Sequence, residues 1–309
     1  MGRASRTKVE STRREKIAAQ RAAAKRAERR RRILLASGSV LVVVAVVLAF
    51  VIIKLNSKSP PATSASGASN GPTGAALAAV VAKVTSVPTS TTDAVGKGGF
   101  IGQIQTTTGK NTLLTSGGKP EMLYMGAEYC PYCGVTRWAM IVALSRFGTF
   151  SGLSTVHSSS TDVYPNTPSW TFYKSSYTSK YLTFTPVELE TNIPDASNTP
   201  PYTNLQTPTA AQSALLTKYD TAPYTTQTGA VPFIDFGNKY LMIGSPFIPS
   251  VLDGLSWATI ANDLHNPSSA AAQAVDGTAN YLTAAICKLT GNQPASACTA
   301  TVQSLESQI

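Results

Sequence analysis

Glu128-Tyr129-Cys130-Pro131-Tyr132-Cys133 is the stretch around which the rest of the 309-residue chain is organised. It follows an apolar run from Glu121 to Ala127, centred on Met122-Leu123-Tyr124-Met125 and short enough to be a central buried strand. Helix signals come after it. Pro131 suits a first helical turn, where its missing N–H costs nothing. Val135, Trp138, Ala139, Val142 and Phe147 recur at helical spacing, and Gly148 offers a stop. Leu153 to His157 reads as the next strand, so the cysteines are expected at the strand-to-helix junction of a strand–helix–strand unit.

Two cysteines separated by two residues admit three chemistries. As a redox dithiol, Cys130 at a helix N-terminus would be favoured as thiolate by unpaired N–H groups and the helix dipole. It would attack a partner's disulfide, and Cys133, one turn inside the helix, would resolve the mixed disulfide. A zinc site would want a second close Cys or His pair. The other cysteines are Cys287 and Cys298, eleven positions apart, and the histidines are His157 and His265. A short structural disulfide would close a very small loop and constrain the unfolded chain little. Arg137, a turn beyond Cys133, reads as a solvated face residue, Glu128 as an acid near the surface, and His157 as a surface or satisfied histidine.

Downstream, residues 159–230 are rich in Thr, Ser, Pro and Tyr, with strand-like pieces at Trp170 to Tyr173 and Tyr181 to Val187 and a helix from Thr209 to Tyr219. Their aromatic content argues for an ordered insertion rather than disorder. Val231-Pro232 then leads into two apolar strands flanking Gly237-Asn238, a pair typical of tight hairpins. The C-terminal part, 248–309, reads as helical. Trp257, Ile260, Ala261 and Leu264 share one face, and Val275, Ala279, Leu282, Ile286 and Leu289 form a second stripe, closed by Gly291-Asn292. Pro294 is expected to open a third helix containing Cys298, Val302 and Leu305. A disulfide between Cys287 and Cys298 would staple that helical hairpin, and a second redox pair is the other reading.

Charge separates the chain into unlike parts. Residues 1–32 hold 13 Lys/Arg against 3 Asp/Glu, whereas residues 33–309 hold 13 of each sign. The folded part is neutral, which disfavours a nucleic-acid-binding domain. From Ile33 to Ile53 there is no charge, enough to span a bilayer core at about 1.5 Å per residue. The expected organisation is a basic cytoplasmic arm (1–32), a transmembrane signal anchor (33–55), a linker (56–75) and an extracytoplasmic domain (76–309). Arg29 to Arg32, abutting the span, places the N-terminus in the cytoplasm by the positive-inside rule.

The segment from Ala127 to Cys133 resembles the active-site segment of the thioredoxin-like superfamily, its Pro-Tyr dipeptide being similar to that of glutaredoxins. Gly229-Ala230-Val231-Pro232 before a hairpin resembles that superfamily's cis-proline. The resemblance implies an α/β thioredoxin-like fold with a long insertion before the cis-Pro hairpin and a C-terminal helical extension. It also implies that Pro232 sits beside Cys130, and that the Val231 backbone and Tyr132 meet an extended substrate segment. As a whole, residues 75–309 resemble an uncharacterised family of membrane-anchored thioredoxin-like proteins of actinobacteria and archaea, a domain of unknown function. Two departures stand out. Cys130 and Pro232 are 102 residues apart, longer than a minimal thioredoxin needs, and Tyr124 stands where thioredoxins place a buried acid.

The expected function is thiol–disulfide exchange on exported proteins bearing thiols or disulfides. Cys130 would be the nucleophile and Cys133 the resolving thiol, supported by Glu128 and Pro131, with a membrane redox partner for turnover. No cofactor or metal is expected. The reading from another class is a non-catalytic thioredoxin-like binding module at the cell envelope with only structural disulfides.

Overall fold

The computed structural model of the protein describes residues 71–309. The expected basic arm, membrane span and most of the linker lie outside the described residues. Among the described residues, no helix is long and apolar enough to cross a membrane.

The chain builds a mixed α/β architecture around β3 (Lys119–Gly126). On one side β3 pairs antiparallel with β11 (Phe233–Phe236), which continues through β12 (Tyr240–Ile243) to β1 (Ile104–Thr106). It also pairs antiparallel with the short β2 (Thr115–Ser116) and parallel with β8 (Thr183–Glu188), completing a six-stranded mixed sheet. The β11–β12 hairpin turns at Gly237-Asn238, both with positive φ, and Lys239 N–H donates to the Phe236 carbonyl. That left-handed turn is the one the Gly-Asn pair predicts, with Lys239 as one residue more before β12 resumes.

Alternation along β3 gives the sheet two unlike faces. Met122 and Tyr124 point into the main core, with α1 (Gly74–Thr85), α3 (Pro131–Ser145), α5 (Trp257–Asp263), α6 (Ala270–Thr290) and α7 (Ala300–Glu306). Leu123 and Met125 point the other way, onto α4 (Ala210–Tyr219) through Leu215, Leu216 and Tyr219. Helix α2 (Thr89–Val95) packs beside α6. Helix α3 is buried on nearly all sides, wedged between α6 and β6 (Pro168–Thr171). Trp138 anchors it, its indole N–H donating to the Pro168 carbonyl at 2.9 Å and its ring meeting Trp170 edge-on.

The strand expected after α3 is present as β5, but it lies outside the main sheet. β4 (Gly148–Ser151) pairs with β7 (Ser176–Ser179), and β5 (Ser154–His157) pairs with β6, both in separate two-stranded sheets. The parallel partner of β3 is β8, from within the segment 159–230 expected to be an insertion. Apolar pattern marks a segment as strand without saying which remote strand it meets. That segment therefore contributes a core strand as well as the outer pair β9 (Glu190–Pro194) and β10 (Tyr202–Asn204). Just before β1, Phe100 stacks its ring on Tyr281 of α6, with centroids 4.2 Å apart.

At the C-terminus, α6 ends at Gly291 with φ +63°, as the Gly-Asn signal predicts. The last helix starts later than expected. Thr299 caps it by accepting the Val302 N–H, leaving Cys298 in the preceding turn, disulfide-bonded to Cys287.

Candidate functional site

Cys130 occupies the N-cap of α3, where the first backbone N–H groups of a helix have no intrahelical partner. Its Sγ accepts the Cys133 N–H at 3.2 Å, and Pro131 follows at the first helical position. Cys133, with no solvent exposure, lies one turn inside; Cys130 is 5 % exposed. Both thiols are free.

The two sulfurs differ electrostatically. Burial works to raise the Cys130 thiol, but hydrogen bonds from the Cys133 side chain and backbone, with the Arg137 guanidinium, outweigh it and pull its pKa down. Burial raises Cys133 well above an ordinary thiol, and its hydrogen bond to Cys130 adds to this. Of the two, the outer sulfur is therefore the one favoured as thiolate and the inner one the one favoured as thiol.

The hairpin comes from the other side. The Val231–Pro232 peptide is cis, and the Val231 carbonyl oxygen lies 4.0 Å from Cys130 Sγ. Val231, Tyr129 and Tyr132 pack on the cluster formed by Ala127, Cys130 and Cys133. Two further tyrosines close the rim. Tyr202, leading β10, stacks on Tyr129 with ring centroids 4.1 Å apart, and Tyr164 meets Tyr132 edge-on at 5.8 Å. The segment 159–230 thus supplies half of a tyrosine collar around the dithiol. The Tyr129 carbonyl is pinned by the Ser159 N–H at 2.8 Å.

Behind the cysteines lies a group of buried polar residues that the sequence reading did not assemble. Arg137 is fully buried, not solvated: its Nε donates to Glu188 Oε1 at 2.9 Å, and Nη2 donates to Oε2. Nη1 donates to Ser169 Oγ at 3.1 Å, and Nη2 also reaches the Ala127 carbonyl at 2.7 Å. Glu188, equally buried, ends β8 opposite Gly126 in the parallel register and also accepts the Phe172 N–H. A cation so enclosed is tolerated only because a carboxylate and fixed acceptors meet it. The sequence did hold a signal. Arg137 is the sole charge in α3, and Glu188 shares strand parity with the core residues Leu182 and Phe184.

Glu128 is buried rather than near the surface, because its backbone is drawn inward where its N–H donates to the Glu190 carbonyl at 2.8 Å. Burial raises its carboxyl pKa, countered by the Thr171 side chain and Arg137. It borders a cavity of about 380 Å³ with Pro72, Leu77, Thr155 and Asn192. Half-buried His157 packs edge-on against Trp257, and burial lowers its pKa. Cys287 and Cys298 are bonded to each other, both buried at the α6–α7 junction.

The sequence profile described as Domain of unknown function (DUF929) matches residues 105–288, from β1 through the dithiol and the hairpin into α6. No curated protein and no solved structure matches the chain.

Proposed function

We propose that this chain, which belongs to the DUF929 family, carries a thioredoxin-like fold and catalyses thiol–disulfide exchange on exported proteins through Cys130 and Cys133. The observation that carries the reading is the opposite tuning of two adjacent thiols: Cys130 pulled down at a helix N-cap, Cys133 pushed up behind it. A lone structural pair has no need of that asymmetry, whereas an exchange site needs a thiolate outside and a guarded thiol inside.

The Cys130 thiolate attacks one sulfur of a partner's disulfide, forming a mixed disulfide and releasing the partner's other sulfur as thiolate. Cys133 then bonds to Cys130 and expels the second partner sulfur. Two electrons pass from the dithiol to the partner. Every step is reversible, and the direction of net flow follows the relative potentials of the two couples. The Val231 backbone beside Cys130 is suited to pair with an extended segment of the partner. Tyr132, with Tyr129 on the other side of Cys130, offers apolar area around the incoming disulfide.

The uncharged run from Ile33 to Ile53, with Arg29 to Arg32 on one side, supports anchoring in the membrane with the dithiol domain outside. The Cys287–Cys298 disulfide suits an oxidising compartment. A membrane redox partner would regenerate the dithiol or the disulfide between turnovers.

Trapping tests the reading. A Cys133→Ser variant of the full chain should accumulate mixed disulfides with exported proteins, absent when Cys130 is also replaced. If no such species forms and Cys130 resists alkylation in the folded protein, the exchange reading fails and the non-catalytic binding module takes its place.

A further inference from the structure

Tyr124 has no part in the exchange scheme above, yet its hydroxyl and the inner sulfur both border Gly126. Its side chain has no solvent exposure, and its hydroxyl has no hydrogen-bond partner among the described residues. The ring is fixed on two sides: Phe172 meets it edge-on at 5.6 Å, and the Arg137 guanidinium lies 5.8 Å from its centroid. The hydroxyl reaches over Gly126. A Cβ on that glycine would collide with Tyr124 Oη and would stand 3.2 Å from Cys133 Sγ, so the phenol and the inner sulfur share the space above one backbone position. Gly126 leaves that space open.

A buried hydroxyl without a partner destabilises the fold that holds it. Phenylalanine would fill the same volume without that penalty, so the hydroxyl needs a state in which it is used. In the reduced resting state Cys133 is a neutral thiol. It becomes an anion only when it attacks the mixed disulfide.

We propose that the Tyr124 hydroxyl is a positioning residue that donates a hydrogen bond to the Cys133 sulfur as it becomes a thiolate in the resolving step. The inference rests on the exchange reading and adds to it a donor for the inner sulfur. In that step the Cys133 S–H bond breaks, a Cys133–Cys130 bond forms, and the bond between Cys130 and the partner breaks. The expelled partner thiolate takes up the proton. Tyr124 keeps its own proton throughout, consistent with burial holding its phenol well above the ordinary range. The charged or titratable groups facing this pocket are Arg137 from α3, Glu188 from β8 and Cys130 from the N-cap. Arg137 and Glu188 pair with each other, leaving the phenol as a free donor among the described residues.

The reduced full chain mixed with an aromatic disulfide, 5,5′-dithiobis(2-nitrobenzoate), separates the two steps. Attack by Cys130 releases the first equivalent of nitrothiobenzoate, and resolution by Cys133 releases the second. In Tyr124→Phe the first phase should keep its rate. The second should slow about tenfold to a hundredfold, the range for losing a hydrogen bond to a charged group, and its pH midpoint should move up. Urea unfolding of the reduced protein is the control, with the variant expected to be at least as stable as the parent. An unchanged second phase overturns the inference while leaving the exchange reading intact, and so does a loss of stability without a slower second phase. Absence of the first phase in the parent protein overturns both.

Discussion

Arg137 and Glu188 meet in a two-point ion pair with no solvent exposure, 51 positions apart in sequence and directly behind the dithiol. The pair joins the helix that bears Cys130 and Cys133 to the strand that runs parallel to β3. Removing one partner of such a pair leaves a buried charge uncompensated, which costs about 3–5 kcal/mol. Glu188→Ala should therefore lower the unfolding free energy by roughly that amount in urea titrations. Replacing both residues by apolar side chains, Arg137→Met with Glu188→Leu, should cost much less than the sum of the two single changes. Additive losses would show that the two groups act independently.

Much of the site was legible because it is local. The cysteine pair, Pro131 at the helix start, the Gly237-Asn238 turn and the α6 stripe each declare themselves within a few residues. The ion pair did not, because a cation on a helix reads as solvated until its partner is known. Glu188 arrives from 51 residues away on a strand whose pairing no local pattern encodes. The same non-local pairing explains why the strand at 154–157, legible in the sequence, pairs with β6 while Thr183–Glu188 runs parallel to β3. Glu128 was misjudged for a related reason. Its burial depends on β9, which reaches it through the Glu190 carbonyl.

The lowered Cys130 thiol predicts its alkylation profile. Iodoacetamide should modify Cys130 with a pH midpoint below that of an ordinary thiol, since the thiolate forms at lower pH when its pKa is depressed. Cys133→Ala removes the side-chain hydrogen bond but keeps the backbone donor at that position. The midpoint should then rise only part of the way back. A midpoint unmoved by this change would show that the Cys133 side chain contributes nothing to the outer thiolate.

Cys287 and Cys298 tie the end of α6 to the turn before α7, with Cα atoms 5.8 Å apart. Closing so short a loop stabilises through the unfolded chain by about 2–3 kcal/mol. The double variant Cys287→Ala, Cys298→Ala should lose about that much stability by thermal or urea unfolding. The alkylation rate of Cys130 should be unaffected, because the disulfide belongs to the helical junction and not to the dithiol. A changed Cys130 rate in this variant would instead support electron exchange between the two pairs.

Asp276, on α6, is fully buried, and both its carboxyl oxygens lack a hydrogen-bond partner among the described residues. Burial pushes its pKa up to about 8, against the pull of Arg146, whose own pKa burial lowers to about 10. Asp276 in the unfolded chain titrates near 3.8, the ordinary aspartate value. Between that pH and about 8 the folded state holds a proton that the unfolded state has released. Stability therefore falls as pH rises through this window, by up to about 1.4 kcal/mol per unit. Asp276→Asn is neutral at every pH and mimics the protonated form, with Arg146 in the same uncompensated state. Variant and parent should thus be similar in stability near the acid end of the window. Above pH 8 the variant should be the more stable, by on the order of several kcal/mol at most. Unfolding titrations of both proteins across this range provide the measurement. Parallel curves for parent and variant would mean that Asp276 is already ionised in the fold and held by Arg146.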